Sequence, residues 1–155
     1  MLWNQILLAY DNSQQALRAV EYVGQMFSRV DNIKVTMFGV YDKLPDHEMI
    51  DTPFTDQVRA RISNLERERD KGRENMEEAA KHLLRMGFGE DQVKVKYVEK
   101  KKSIAKDIID EVKQGGYGTV VLGRKGVSNL AGMLFGSVTS GVIGNLQGAT
   151  ICVVE

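Results

Sequence analysis

The sequence is poor in several things at once. It has a single cysteine, Cys152, so no disulfide can close within the chain and no cysteine cage can hold a metal. Its two prolines both fall in "DKLPDHEMIDTPFTDQ", which shows no clear period and reads as a loop. Charge of one sign is also missing. The 21 basic and 21 acidic side chains cancel, so nothing draws the whole chain to nucleic acid or to an anionic membrane, and any electropositive site has to be local. No apolar run approaches the ~18 residues that would span a bilayer. The first residues, "MLWNQILLAYDNS", lack the basic start, long apolar stretch and small-residue cleavage site of a secretory signal, and the expected setting is cytoplasmic.

What is present is a regular alternation of two apolar periods. With 155 residues, 43% of them hydrophobic, the chain is long enough to bury one sizeable core, and a single domain over 1–155 is expected. The run "QILLAY" ends in the turn chemistry of "DNS". A helix then follows over about 13–29, with Ala16, Leu17, Val20, Val23, Gly24 and Phe27 on one stripe. "IKVTMFGVY" reads as a buried strand, and a long charged helix near 55–86 carries Val58, Ile62, Leu65, Met76, Ala80 and Leu83, ending at "GFG". The second half repeats the scheme. "QVKVKYV" alternates as a strand with one exposed face or at a sheet edge would, Ser103 is a plausible helix cap, and "GGYG" stops the helix it starts. "GTVVLG" is a buried strand, Val138, Val142, Ile143 and Leu146 mark a last helix, and "ATICVVE" is a last strand. Strand and helix alternate throughout, which predicts an α/β fold with a mostly parallel sheet covered on both faces.

The connection "GRKGVSNLAGMLFGS" holds glycines at 123, 126, 132 and 136, between a buried strand and a helix. Such a stretch can be a flexible loop and nothing more. Its position argues for a ligand, because open parallel sheets bind ligands beyond the carboxyl ends of their strands. At the following helix start, Gly136, Ser137 and Val138 have backbone N–H groups that could meet a phosphate. Gly123 would let the strand turn, while Gly126 and Gly136 would allow close backbone approach. Neither G-x-x-x-x-G-K-[ST] nor a G-x-G-x-x-G after the first strand is present, which disfavours the two commonest nucleotide motifs.

The spacing from Gly123 to Gly126 and on to Gly136 and Ser137 resembles the G-x2-G-x9-G-[ST] motif of the universal stress protein family. "ILLAYDNSQQALRAVEYV" is similar to that family's opening strand, acidic turn and first helix, and "ATICVVE" to its closing strand. The resemblance implies a three-layer α/β/α sandwich around a five-stranded parallel sheet of order 3-2-1-4-5, of the adenine-nucleotide alpha-hydrolase-like type. It also implies ATP at the carboxyl ends of strands one, two and four. Asp11 would then meet the ribose or a phosphate-bound Mg²⁺, Val40 would contact adenine through its backbone, and Ala9 and Leu122 would wall the base. Gly123, Gly126, Gly136, Ser137 and Val138 would line the ribose and phosphates. The chain departs from the family pattern at Asn12, where D-G-S is frequent, at Val127, where Arg is common, and at Asn129, where a third glycine is often seen. Arg124 and Lys125 stand between the first two motif glycines and could supply the missing positive charge.

Other features read more plainly. Asp11 can cap the first helix as well as meet a ligand. His47 and His82 have no partner at metal-ligand spacing and read as surface residues, and "KVKYVEKKKS" reads as a solvated turn. No catalytic triad or carboxylate pair is legible, so the expected function is an ATP-binding stress-response sensor or regulator with an unknown protein partner. The alternatives are a nucleotide-free interaction module and a slow ATPase or self-phosphorylating protein. The apolar last strand at a sheet edge, with Ile151, Cys152, Val153 and Val154 and no charge or proline, predicts a homodimer, as the resemblance also implies.

Overall fold

The computed structural model describes residues 2–45, 55–127 and 132–155. His47, Pro53 and Asn129 lie outside the described residues. Among the described residues the elements run in the order β1 (Leu2–Ala9), α1 (Gln14–Phe27), β2 (Lys34–Tyr41), α2 (Thr55–Arg85), a short 3-10 turn (Glu90–Gln92), β3 (Val93–Glu99), α3 (Ile104–Gly115), β4 (Tyr117–Gly123), α4 (Ser137–Asn145) and β5 (Thr150–Val154). All strand pairs are parallel, and the sheet order is β3-β2-β1-β4-β5.

The apolar pattern explains that order. Ile6, Leu7 and Leu8 are buried in succession, as are Val35 to Phe38 and Tyr117 to Leu122, because β1, β2 and β4 are covered on both faces. On one face Ile6, Leu8, Met37 and Val121 pack with Ala16, Val20 and Val23 of α1 and Met76 and Leu83 of α2. On the other, Leu7, Phe38, Val120 and Leu122 pack with Ile108, Ile109 and Val112 of α3 and Val142 of α4. Two strands form the edges. β3 alternates exposed and half-buried positions, with Lys94 and Lys96 outward, whereas Ile151 to Val154 of β5 are all half-buried. Cys152 is therefore half-buried.

Local chemistry sets the boundaries. The Ser13 hydroxyl accepts from the Ala16 N–H at 3.0 Å and starts α1, and the Ser103 hydroxyl accepts from the Lys106 N–H at 3.3 Å and starts α3. Gly116 ends α3 in the left-handed region at φ 69°, where a side chain would be strained. The helices open beside the carboxyl ends of β1, β3 and β4, so three helix starts and the glycine connection converge at one end of the sheet. Among the described residues no helix is long and apolar enough to cross a membrane.

Candidate functional site

A cleft opens where β1, β2 and β4 end. One side is apolar. Ala9 from β1, Phe38 and Val40 from β2 and Leu122 from β4 face Ile104 and Ile108 from the start of α3. The other side is backbone and polar side chains, with Asp11, Lys125, Gly126, Gly136, Ser137 and Val138 around it. A slot with an apolar half and a polar half suits a ligand that joins a flat apolar ring to an anionic group.

The polar half is built from interlocked turns. Asp11 leaves β1, and its Oδ1 accepts from the Ser13 N–H at 3.0 Å, so the residue does help cap α1. Asn12 between them has φ 63°, the left-handed region that glycine occupies freely and asparagine tolerates. The glycine connection then folds back over this turn. The Gln15 side-chain oxygen accepts from the Lys125 N–H, and Asp11 Oδ2 accepts from the Val127 N–H at 3.1 Å. Both contacts need missing side chains. A Cβ on Gly126 would stand 2.3 Å from Asp11 Oδ2, and one on Gly123 would stand 2.9 Å from the Gln15 Cβ. Gly123 therefore serves close packing against α1 as the last residue of β4, and its φ is not in the left-handed region.

Opposite this turn, α4 begins at Ser137 with Gly136 as its cap. The Gly136 N–H donates to the Arg124 carbonyl at 2.9 Å, so this donor closes the loop instead of pointing to a ligand. The N–H groups of Ser137 and Val138 belong to the first turn of α4 and have no partner within the helix, which leaves them with the positive end of the helix dipole. Thr139 is 3% exposed, and its hydroxyl donates to the Gly123 carbonyl at 2.8 Å, pinning that helix start to the end of β4.

Nine of the ten residues expected at the site line the cleft: Ala9, Asp11, Val40, Leu122, Gly123, Gly126, Gly136, Ser137 and Val138. Arg124 is the exception. Its backbone N–H donates to the Val154 carbonyl at 2.7 Å and its guanidinium pairs with Glu155 at 2.7 Å, so the side chain follows β5 away from the cleft. Lys125 is the cation that lines it. Phe38, Ile104, Ile108 and Thr139 were not anticipated. Phe38 sits two residues before Val40 on the same strand face, and Ile108 one helical turn after Ile104, so strand and helix periods point to two of them. Tyr10 also lines the cleft, and its phenol is held above the ordinary range by burial first and by the Asp11 charge second.

The remaining candidates settle elsewhere. His82 is not solitary, since its Nε2 lies 2.5 Å from Glu21 Oε1 across α2 and α1. Lys96, Lys100 and Lys102 pair with Glu111, Asp42 and Asp110, so much of the lysine-rich stretch is neutralised locally. Among the described residues no group of three or more His, Cys, Asp or Glu could hold a metal ion.

The comparisons fit this geometry. No curated protein matches the chain in sequence. The structure is similar to that of the universal stress protein UspA from Lactobacillus plantarum, with a TM-score of 0.76 at 22% identity, over 100% of this chain and 99% of that one. It is also similar to the universal stress protein from Archaeoglobus fulgidus in complex with dAMP, with a TM-score of 0.62 at 16% identity over 100% of both chains. A third similar structure is a universal stress protein in complex with cAMP, with a TM-score of 0.58 at 16% identity, over 97% of this chain and 95% of that one. At these identities the structural likeness speaks to the fold, and the profile of the Universal stress protein family matches residues 3–153. The chain belongs to the universal stress protein family.

Proposed function

We propose that the chain binds an adenine nucleotide in this cleft, ATP accompanied by Mg²⁺, and acts in the cytoplasm as a stress-response sensor or regulator. The observation that carries the reading is the meeting, in one cleft, of an apolar slot with the open N-terminus of α4. The base would lie between Ala9, Leu122 and Ile108, against the backbone of Val40. The phosphates would take the N–H groups of Ser137 and Val138, with Lys125 alongside. Asp11 is exposed and each of its oxygens accepts one N–H, so lone pairs are left for a cation. One carboxylate together with substrate phosphates is a usual way for a protein to hold Mg²⁺. Solved relatives in complex with dAMP and with cAMP support the ligand class.

Among the described residues no histidine lines the cleft and Asp11 is its one carboxylate, so turnover is expected to be far below the ~1–10³ per second of ordinary enzymes. A second reading, a nucleotide-free module that docks an unidentified protein partner, draws on two exposed apolar residues, Val127, which lines the cleft and is 74% exposed, and Leu134, which is 69% exposed. The proposal includes a homodimer through Ile151, Cys152, Val153 and Val154 of β5.

Calorimetry separates the two readings. Wild-type protein should bind ATP with Mg²⁺, and Gly136→Val should lose that binding while its circular dichroism stays native. A Cβ at 136 would already stand 3.2 Å from the Lys125 Cα and 3.4 Å from the Gly126 nitrogen, so the branched side chain must displace the loop. A wild-type protein that takes up no adenine nucleotide leaves the docking reading in its place.

A further inference from the structure

The glycine loop is tied down by the protein's own acceptors. Asp11 Oδ2 holds the Val127 N–H at 3.1 Å, the Gln15 side-chain oxygen holds the Lys125 N–H, and the Arg124 carbonyl holds the Gly136 N–H at 2.9 Å. Three backbone donors that could face a phosphate are thereby satisfied from within. Two of the acceptors are neutral. The third is a carboxylate, and it sits in the polar half of the cleft where an anionic group would arrive. Gly126 makes this possible, because any Cβ there would collide with Asp11 Oδ2 at 2.3 Å.

A carboxylate on a backbone N–H occupies the same kind of position as a phosphate oxygen. We infer that Asp11 is a built-in competitor for the phosphate cradle, so that the cleft discriminates a nucleotide carrying a divalent cation from the same nucleotide without one. The inference rests on the nucleotide reading of the cleft. A bare triphosphate must either displace Asp11 from the Val127 N–H or lie against its negative charge, and both weaken binding. A divalent cation reverses the sign of that contact. Bound to the phosphates, it gives the Asp11 oxygens a partner better than the amide, and the Val127 N–H is released for the ligand. A nucleoside without phosphates meets neither the repulsion nor the rescue, because it needs only the apolar half.

The test compares wild-type protein with Asp11→Asn and Asp11→Ala, titrating ATP and adenosine calorimetrically in Mg²⁺ or in EDTA. Wild-type protein should bind ATP about tenfold or more weakly in EDTA than in Mg²⁺, with adenosine indifferent to the change. In both variants the gap should close from below, through a rise in the EDTA affinity for ATP. An EDTA affinity that stays the same or falls in both variants overturns the inference while leaving the nucleotide reading intact, since Asp11 would then be an ordinary ligand contact. Wild-type protein that binds neither ATP nor adenosine in Mg²⁺ overturns both. A second measurement needs no nucleotide. Amide hydrogen exchange at Val127 should speed up by about tenfold in Asp11→Ala, and undiminished protection there shows that the carboxylate clamp does not exist.

Discussion

At the scale of single residues, the site turns on neighbours that sequence alone cannot separate. Arg124 and Lys125 are adjacent cations between two glycines, equally placed to serve a phosphate. The fold divides them, because the end of β4 stays bonded to β5 through residue 124 and draws that side chain to Glu155. Lys125, one step further, lines the cleft. Lys125→Ala should therefore weaken the affinity for Mg²⁺-ATP by about tenfold, whereas Arg124→Ala should change it by less than about twofold, as expected for loss of a partly exposed ion pair. Equal losses in the two variants would return Arg124 to the site. Asn12 makes a similar point in reverse. Its φ of 63° shows why an asparagine can stand where the family resemblance leads one to expect glycine, since both accept the left-handed region. The motif glycines at 123, 126 and 136 were legible by spacing, but the physical need at 123 and 126 is contact with Gln15 and Asp11, which no spacing reveals.

At the scale of elements, the periodic segments were legible and the irregular ones were not. Continuous apolar runs marked β1, β2 and β4 because those strands are covered on both faces, and alternation marked β3 because it is an edge. β1 nevertheless begins at Leu2, earlier than its apolar run, with Leu2 and Trp3 exposed. Leu2 pairs with Tyr117 of β4 and the Trp3 carbonyl accepts from the Thr119 hydroxyl at 3.3 Å, and such bonds leave no hydrophobic trace. The 3-10 turn at Glu90–Gln92 was also unanticipated. It is held by Gln92, whose side chain accepts from the Gly89 N–H at 2.7 Å and donates to the distant Ile33 carbonyl at 2.9 Å. Phe38 and Ile104 escaped as cleft walls because convergence of strand ends and helix starts is tertiary. The start of α3 depends on a local device. Asp107 is 8% exposed and accepts from the N–H groups of Lys101 at 3.0 Å and Lys102 at 3.1 Å, fixing the turn that presents Ile104 to the cleft. Asp107→Ala leaves both donors without their acceptor and should cost about 1–3 kcal/mol in urea unfolding, with nucleotide affinity falling as the wall loosens. A loss within the ~0.5 kcal/mol of an ordinary surface change would show that the turn stands without it.

At the scale of the whole molecule, the two edges of the sheet are unlike. β3 sets Lys94 and Lys96 outward along its length, a common defence against pairing with another chain. β5 has neither charge nor proline between Thr150 and Val154, and its side chains from 151 to 154 are half-buried already. Antiparallel pairing of two such edges about a two-fold axis would satisfy their open backbone groups and extend the sheet across both protomers. The ladder tells which groups are open. The Val154 carbonyl accepts from Arg124, so residues 150, 152 and 154 direct their backbone groups towards β4. Ile151 and Val153, between them, direct theirs outward by the two-residue period of a strand. This assigns different outcomes to proline at neighbouring positions. Val153→Pro removes an outward donor and should shift the dimer towards monomer while leaving the fold in place. Cys152→Pro removes an inward donor and should destabilise the β4–β5 ladder itself, lowering the melting temperature. Sedimentation velocity at micromolar concentration, paired with thermal unfolding, reads both. A monomeric wild type, or a dimer indifferent to Val153→Pro, would mean that β5 is not the surface through which the protein assembles.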